Sequence, residues 1–151
     1  MWNQGLAILS KLAMDHGVYP TTAAELYEFH WYFETLKDFE KKELMPVIFA
    51  ADQSEELQQQ FVDNVKALFA KLEERWADGR DHVTGANISA ADYYILSNHV
   101  SVTTNPNLRN PVAERLTAAF EETTHVKRVI NNIKSELGEH VNACHAEGRW
   151  I

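Results

Sequence analysis

The sequence predicts an all-α protein, a bundle of about six helices, and three observations support this fold class. The 151 residues include only 6 glycines and 4 prolines, whereas an all-β chain of this length would need turn residues every ~8–12 positions. Residues 57–76 repeat apolar side chains with the period of an α-helix. Hydrophobic residues form 45% of the chain, which supplies enough apolar surface for one globular domain without a disulfide or a metal.

The first predicted helix covers residues 4–17 and ends at its glycine. The second begins after a cap at Thr21 or Thr22 and runs to about Phe49. Glu25 follows Thr22 at the spacing of a capping box, in which each side chain accepts a hydrogen bond from the other residue's backbone.

Proline and serine mark the next boundaries. Pro46 should bend or interrupt the second helix, because proline lacks a backbone N–H and clashes with the preceding turn. Ser54 caps a third helix, whose apolar stripe runs through residues 57–76 and ends before the Asp-Gly pair at 78–79. Residues 80–88 form an irregular connector.

Three further helices are predicted in the second half of the chain. A fourth helix covers residues 89–101, and a polar loop follows at 103–110. Pro111 stands at a first-turn position of the fifth helix, where its missing N–H costs nothing. The sixth helix covers residues 125–139, and the tail 140–151 either extends it or leaves it.

Charge and composition exclude several classes of function. The net charge of −8 argues against duplex nucleic acid as a partner, because binding phosphates requires a basic face. No apolar run is long enough to span a membrane. Lys11 and Asp15 interrupt the first apolar stretch, so we expect no signal peptide. Cys144 is the single cysteine and fits a reducing compartment, so the expected location is the cytoplasm.

The most informative short motif covers residues 85–93, Gly-Ala-Asn-Ile-Ser-Ala-Ala-Asp-Tyr. Ser89 can accept a hydrogen bond from the N–H of Asp92, whose carboxylate can reach back to the N–H of Ser89. Ile88 and Tyr93 occupy the two positions of a hydrophobic staple around this cap. A capping box on its own is a structural feature that many helices share.

In its context, after a long amphipathic helix that ends in Asp-Gly, this motif resembles the C-terminal helical domain of glutathione S-transferases. Residues 3–8, Asn-Gln-Gly-Leu-Ala-Ile, and residues 16–20, His-Gly-Val-Tyr-Pro, look like the last helix of that family's thioredoxin-like domain and the linker after it. The resemblance therefore implies a remnant helix and linker at 1–20 and the helical domain at 21–151.

The resemblance implies that the chain holds the helical half of an enzyme that conjugates glutathione to electrophiles. The family's catalytic residue lies in the thioredoxin-like half, so no catalytic residue is assigned here. Gln4 and Gly5 match positions at the γ-glutamyl end of glutathione, although the family's serine is replaced by Gly5. Glu34 lies near the position where relatives keep an Asp that reaches the partner subunit's glutathione, but a solvated helix charge fits it equally well.

Four aromatic residues are candidates for the pocket that binds hydrophobic substrates. Tyr27, Trp31 and Tyr32 lie in the first half of the second helix, where the family lines that pocket, and Trp150 could close it from the tail. Aromatics at helical spacing are also typical of a core or a subunit interface, and Trp150 could belong to an unanchored tail.

No metal site is predicted. His140, Cys144 and His145 offer three possible ligands without a fourth at standard spacing. His30 and Glu34, one helical turn apart, are more typical of an incidental hydrogen bond than of an acid–base pair. Phosphate-binding and nucleophile-elbow motifs are not found in the sequence. No cofactor is expected beyond glutathione as co-substrate of the parent enzyme.

Three functional hypotheses remain open. In the first, this helical half binds small hydrophobic ligands and does not catalyse conjugation by itself. In the second, it is a non-enzymatic interaction module, of the kind found in translation elongation factor 1 gamma and in aminoacyl-tRNA synthetase complexes. In the third, it is a stable helical bundle with no activity of its own. We expect a homodimer or other self-association, because an apolar face around residues 6–13 and the third or fourth helix would otherwise be exposed to solvent.

Overall fold

Helices account for the regular secondary structure of residues 2–48, 54–103 and 111–147, which are the residues that the computed structural model describes. The elements are α1 (Trp2–Asp15), α2 (Ala23–Phe39), a π-helical turn (Glu40–Leu44), α3 (Met45–Ile48), α4 (Glu55–Arg75), α5 (Ala90–Thr103), α6 (Ala113–Glu121) and α7 (His125–Ala146). Because α2, the π-helical turn and α3 are continuous, they correspond to the single second helix of the prediction. The predicted all-α bundle of about six helices is therefore confirmed.

The predicted helix boundaries at Thr22 and Ser54 are correct. Thr22 and Glu25 form the capping box, with the Glu25 N–H donating to Thr22 Oγ1 at 3.2 Å and the Thr22 N–H donating to Glu25 Oε2 at 3.2 Å. The Ser54 hydroxyl accepts a hydrogen bond from the Leu57 N–H at 3.3 Å. These contacts satisfy N–H groups that have no partner inside the helix.

Pro46 interrupts the regular hydrogen bonding of the second helix. The five residues before Met45 adopt π-helical geometry, and the Met45 N–H donates to the Glu40 carbonyl, five residues back. A proline in the next position cannot donate, and its ring excludes the carbonyl four residues earlier. Widening the preceding turn accommodates the proline without ending the helix.

The last helix is longer than the 125–139 that the sequence pattern predicts. It continues to Ala146, because Val141 is half-buried against the core and Cys144 is buried with 7% of its surface exposed. Of the two alternatives for the tail, extension is therefore correct up to Ala146. Residues 148–151 lie outside the described part of the chain.

The buried side chains fall into two clusters. The first core cluster joins the helices α1, α2, α4, α5, α6 and α7 with the connector, and contains Ala13, Phe29, Tyr32, Phe33, Leu36, Leu72, Trp76, Val83, Ala90, Ala91, Ile95, Leu96, Val100, Phe120, Val126, Val129, Ile130 and Ile133. The second core cluster is smaller and contains Val47, Phe61, Val62, Val65, Val112 and Leu116. No helix in the described ranges is long and apolar enough to cross a membrane.

Candidate functional site

The three aromatic residues predicted to line a pocket on α2 do not share one surface. Tyr27 and Trp31 lie one turn apart on the outer face, and the Arg75 guanidinium lies over both rings, 5.2 Å and 4.8 Å from their centroids. Tyr32 points into the bundle, with 1% of its surface exposed. The helical rotation of about 100° per residue separates Tyr32 from Trp31. Trp150, the fourth candidate, lies outside the described residues.

A network of charged residues holds Arg75 against α2. Glu28 accepts hydrogen bonds from Arg75 at 2.6 Å and 3.0 Å and from Arg80 at 2.8 Å, and Arg80 also pairs with Asp78 at 2.7 Å. Burial acts to raise the pKa of Glu28, but the hydrogen bonds from the two guanidinium groups outweigh it, so that the pKa is lowered. The outer face of α2 is therefore a fixed surface of two aromatic rings and a paired arginine.

The candidate glutathione contacts lie on exposed surfaces or at the chain's start. Gln4 and Gly5 lie in the first turns of α1, and Gly5 is exposed with no neighbour near the position of an added Cβ. The side chain of Gln4 is not among those that the structure describes. Glu34 is exposed and pairs with Lys37 at 3.4 Å, which is the arrangement of a solvated helix charge.

Asp92 is the centre of the hydrogen bonds at the start of α5. Its carboxylate accepts from the Ser89 N–H at 2.7 Å, from the Ser89 hydroxyl at 2.8 Å and from the Val83 N–H at 2.8 Å. The Ser89 hydroxyl thus donates to Asp92. The predicted hydrogen bond from the Asp92 N–H to this hydroxyl is wrong, because the N–H donates to the Ser89 carbonyl at 3.0 Å. Asp92 is 0% exposed, and burial raises its pKa although these hydrogen bonds act to lower it. Ile88 is half-buried and Tyr93 is 42% exposed.

This capped helix start anchors the segments on both sides of it. The Ala90 N–H donates to the Val18 carbonyl at 3.0 Å, which ties α5 to the linker after α1. His82 lies between two acceptors, with Nδ1 at 3.2 Å from the Ala86 carbonyl and Nε2 at 2.8 Å from Glu136 Oε1. The connector and the linker therefore form one hydrogen-bonded unit at this end of the bundle.

A cavity of about 100 Å³ lies at the other end, between the two core clusters. Its walls come from α2, the π-helical turn, α4, α5, α6 and α7. Most of the lining side chains are apolar. The described residues that line the cavity are Tyr32, Leu36, Phe39, Glu40, Leu44, Phe61, Val65, Leu68, Phe69, Leu72, Ile95, Asn98, His99, Thr103, Leu116, Val126 and Ile130. The cavity separates members of the first core cluster from members of the second.

The hydroxyl of Tyr32 is a buried polar atom without a hydrogen-bond partner in the described part of the chain. Burial, followed by the nearby Tyr94, Asp92 and Glu40, raises the pKa of Tyr32 well above its ordinary value, so the phenol stays protonated. Tyr94 satisfies its own hydroxyl by donating to Glu40 at 2.8 Å. Tyr32 therefore keeps an unused hydrogen-bond donor beside an apolar space.

His99 lies in the cavity wall opposite α2. Its Nε2 is 3.1 Å from the Lys134 ammonium, and its ring stacks on Phe120 with 4.4 Å between centroids. Burial and the charge of Lys134 lower the pKa of His99 to about 4. The ring is therefore neutral near pH 7 and accepts a hydrogen bond from Lys134.

The candidate metal ligands form a pair. The Cys144 thiol lies 3.6 Å from His140 Nε2, and the part of the chain that the structure describes contains no group of three His, Cys, Asp or Glu side chains arranged to hold a metal ion. The side chain of His145 is outside that part.

The fold is similar to that of a solved glutathione S-transferase. The crystal structure of the glutathione S-transferase Blo t 8 superposes with a TM-score of 0.71 over 95% of this chain, at 19% sequence identity. The chain spans 64% of the length of that protein. No family model and no curated protein matches the sequence. The chain therefore has a glutathione S-transferase-like fold, and at this identity the similarity concerns the fold alone.

The cavity could not be predicted from the sequence, nor could the presence of both Tyr32 and His99 in its wall. They lie 67 positions apart on different helices and meet only through the packing of α2 against α5. The one local signal was a polar histidine among the apolar residues of α5, which is ambiguous without the position of its neighbours.

Proposed function

We propose that this chain is the helical, ligand-binding half of a glutathione S-transferase-like protein. Residues 21–151 form the domain that binds small hydrophobic molecules and takes part in subunit contacts, and residues 1–20 are the last helix and the linker of a thioredoxin-like domain. The similarity of the fold to a glutathione S-transferase over 95% of the chain supports this proposal. The resemblance of residues 3–8, 16–20 and 85–93 to that family also supports it.

The observation that carries the proposal is that α1 has apolar side chains on two opposite sides. Ala13 is 2% exposed, and Leu6 and Leu9 pack against the first core cluster. On the opposite side, Ile8 and Leu12 are 61% and 50% exposed. A helix that is apolar on two sides is typical of one covered by protein on both. We infer that the outer side of α1 belongs in the interior of a thioredoxin-like domain.

The proposed chemistry divides between the two halves. Conjugation needs a glutathione thiolate, which forms when a neighbouring group lowers the thiol pKa. Such a group belongs to the thioredoxin-like half, so this chain supplies the ligand surface, for which the exposed Tyr27 and the half-buried Trp31 are the candidates. Gln4, Gly5 and Glu34 remain predicted contacts of glutathione.

The test mixes the purified 151-residue chain with glutathione and a chromogenic aryl halide. We expect the uncatalysed rate of conjugation, together with weak binding of an apolar fluorescent dye. Trp31→Ala should lower the dye's affinity, while Tyr93→Ala, which removes an exposed aromatic ring from α5, serves as the matched control. Turnover above the uncatalysed rate would contradict the assignment of catalysis to another domain.

A non-enzymatic interaction module is the second candidate, and the outer face of α2 favours it. Tyr27, Trp31 and Arg75 are of the residue types that dominate binding energy at protein interfaces. Recovery of translation factors with the chain from a native lysate, lost in Trp31→Ala, would favour this reading. Light scattering that reports a dimer instead would favour self-association through this face or through α1.

A further inference from the structure

The core of this bundle is divided by a space that its own side chains do not fill. Protein interiors are normally packed as densely as organic crystals. Here a cavity of about 100 Å³ is lined by Tyr32 and Ile130 of the first core cluster and by Phe61 and Val65 of the second. The side chains that line it therefore lack contact atoms on the cavity side.

The Tyr32 hydroxyl makes the cavity selective for ligands that have a hydrogen-bond acceptor. Tyr32 lines the cavity and is 1% exposed, and its hydroxyl has no hydrogen-bond partner among the residues that the structure describes. Leaving a buried donor unpaired is costly, and native proteins rarely tolerate it. A ligand with a hydrogen-bond acceptor would satisfy this donor and fill the space at the same time.

The π-helical turn contributes to the same wall. Glu40 and Leu44, the first and last residues of the turn, both line the cavity. Single π-helical turns are rare and occur frequently at functional sites. The Glu40 carboxylate is already occupied by the Tyr94 hydroxyl at 2.8 Å, and its charge disfavours an anionic ligand.

We propose that this cavity is a binding site for a small, neutral carbonyl compound, whose oxygen accepts a hydrogen bond from the Tyr32 hydroxyl. The carbon skeleton of the ligand contacts the apolar side chains of both core clusters. This site is separate from the outer surface of Tyr27 and Trp31, and it requires neither glutathione nor a thioredoxin-like domain.

The volume sets the size of the ligand. An apolar cavity of about 150 Å³ accommodates benzene, so a cavity of about 100 Å³ accepts a molecule about two-thirds of that size, with about four non-hydrogen atoms. Acetone is a probe of this size. 2-Methylpropene has the same shape, but a CH₂ group replaces the oxygen of acetone.

The experiment measures the dissociation constants of both probes by NMR chemical-shift titration of the full chain. The ratio of the two affinities should favour acetone about tenfold more in the unmodified chain than in Tyr32→Phe, the effect of one buried hydrogen bond to an otherwise unpaired donor. The comparison with Tyr32→Phe is needed because acetone, unlike 2-methylpropene, loses hydrogen bonds to water when it binds. Tyr32→Phe should not lower the midpoint of urea unfolding, because the lost hydroxyl has no partner in the described residues.

Two valine substitutions on α4 test the location. Val65 lines the cavity, so the extra methyl group of Val65→Ile should occupy part of it and weaken the binding of both probes by about tenfold. Val62 is also buried in the second core cluster but is not among the residues that line the cavity, so Val62→Ile should leave both affinities within about twofold.

Three results would overturn the proposal. The first is that acetone does not bind. The second is that Tyr32→Phe leaves the ratio of the two probes' affinities unchanged. The third is that Val65→Ile has no more effect on binding than Val62→Ile. None of these results depends on whether the chain belongs to a conjugating enzyme.

Discussion

The two ends of the helical bundle are built in different ways. At the end where α5 begins, buried side chains and backbone groups are tied together by hydrogen bonds, with Asp92 joining Ser89 to Val83. At the end where the π-helical turn lies, the smaller second core cluster faces a cavity and a buried hydroxyl without a partner in the described residues.

We assign different roles to the two ends, stability to the end with the helix cap and ligand binding to the end with the cavity. Burial alone does not distinguish the ends, because Tyr32 and Leu116 in the cavity wall are 1% exposed, as is Val83 beside the helix cap. What distinguishes them is the unfilled space and the hydroxyl unpaired among the described residues at one end and the hydrogen bonds of Asp92 at the other. Sites that bind ligands commonly depart from the packing and hydrogen-bonding rules that the rest of the fold obeys. The end with the helix cap therefore holds the fold together, and the end with the cavity keeps space for a ligand.

Two phenylalanine truncations give the largest test of this comparison. Phe29→Ala should lower the free energy of unfolding by about 4 kcal/mol, because it removes a side chain that is surrounded by others. Phe61→Ala should cost about 2 kcal/mol, because Phe61 already lacks contact atoms on the cavity side. Urea unfolding of both variants measures the difference, and equal costs would show that the two ends are equally well packed.

Removal of the buried carboxylate tests the capped end. Asp92→Ala should lower the free energy of unfolding by about 3 kcal/mol, because it leaves the N–H groups of Val83 and Ser89 without their acceptor. The control is Asp38→Ala, which removes an exposed carboxylate paired with Lys42 and should cost far less, because water screens a surface ion pair. A similar cost for both variants, by urea unfolding, would mean that Asp92 is no more important than a surface charge.

The pH dependence of stability tests the cavity wall. His99 has a pKa of about 4 in the folded protein, while in the unfolded chain it titrates near ~6.5. Between these values the unfolded state binds the additional proton, so stability falls as the pH falls. We expect His99 to contribute a loss of about 2 kcal/mol between pH 6.5 and 5.

The variant His99→Gln isolates this contribution, because glutamine keeps an acceptor for Lys134 but does not titrate. Its free energy of unfolding should depend less on pH in this window than that of the unmodified chain. If the free energy of unfolding of His99→Gln depends on pH as strongly as that of the unmodified chain, a group other than His99 causes this dependence.

The helices themselves could be predicted because their signals are local. A capping box at Thr22, a serine cap at Ser54 and the apolar stripe of α4 each depend on residues within one or two turns. The extension of α7 to Ala146 could not be predicted in this way. It depends on the burial of Val141 and Cys144, and that burial requires the rest of the bundle to be in place.

Only part of the candidate site could be predicted from the sequence. The aromatic residues of α2 were recognised as important, yet the sequence could not assign Trp31 to the outer surface with Arg75 and Tyr32 to the interior. Adjacent positions on a helix point in directions about 100° apart. Which of them faces the core depends on the helices packed against them.

The amino-acid sequence by itself determined an all-α chain, the positions of most helix starts and a resemblance to the helical domain of glutathione S-transferases. Only the tertiary structure decided that the core is divided in two, that Tyr32 and His99 line one cavity and that the outer side of α1 is exposed. The physical reason is that caps and periodicity arise from contacts within a helix. A cavity, in contrast, depends on the distances between helices and on the volumes of side chains that are far apart in the sequence.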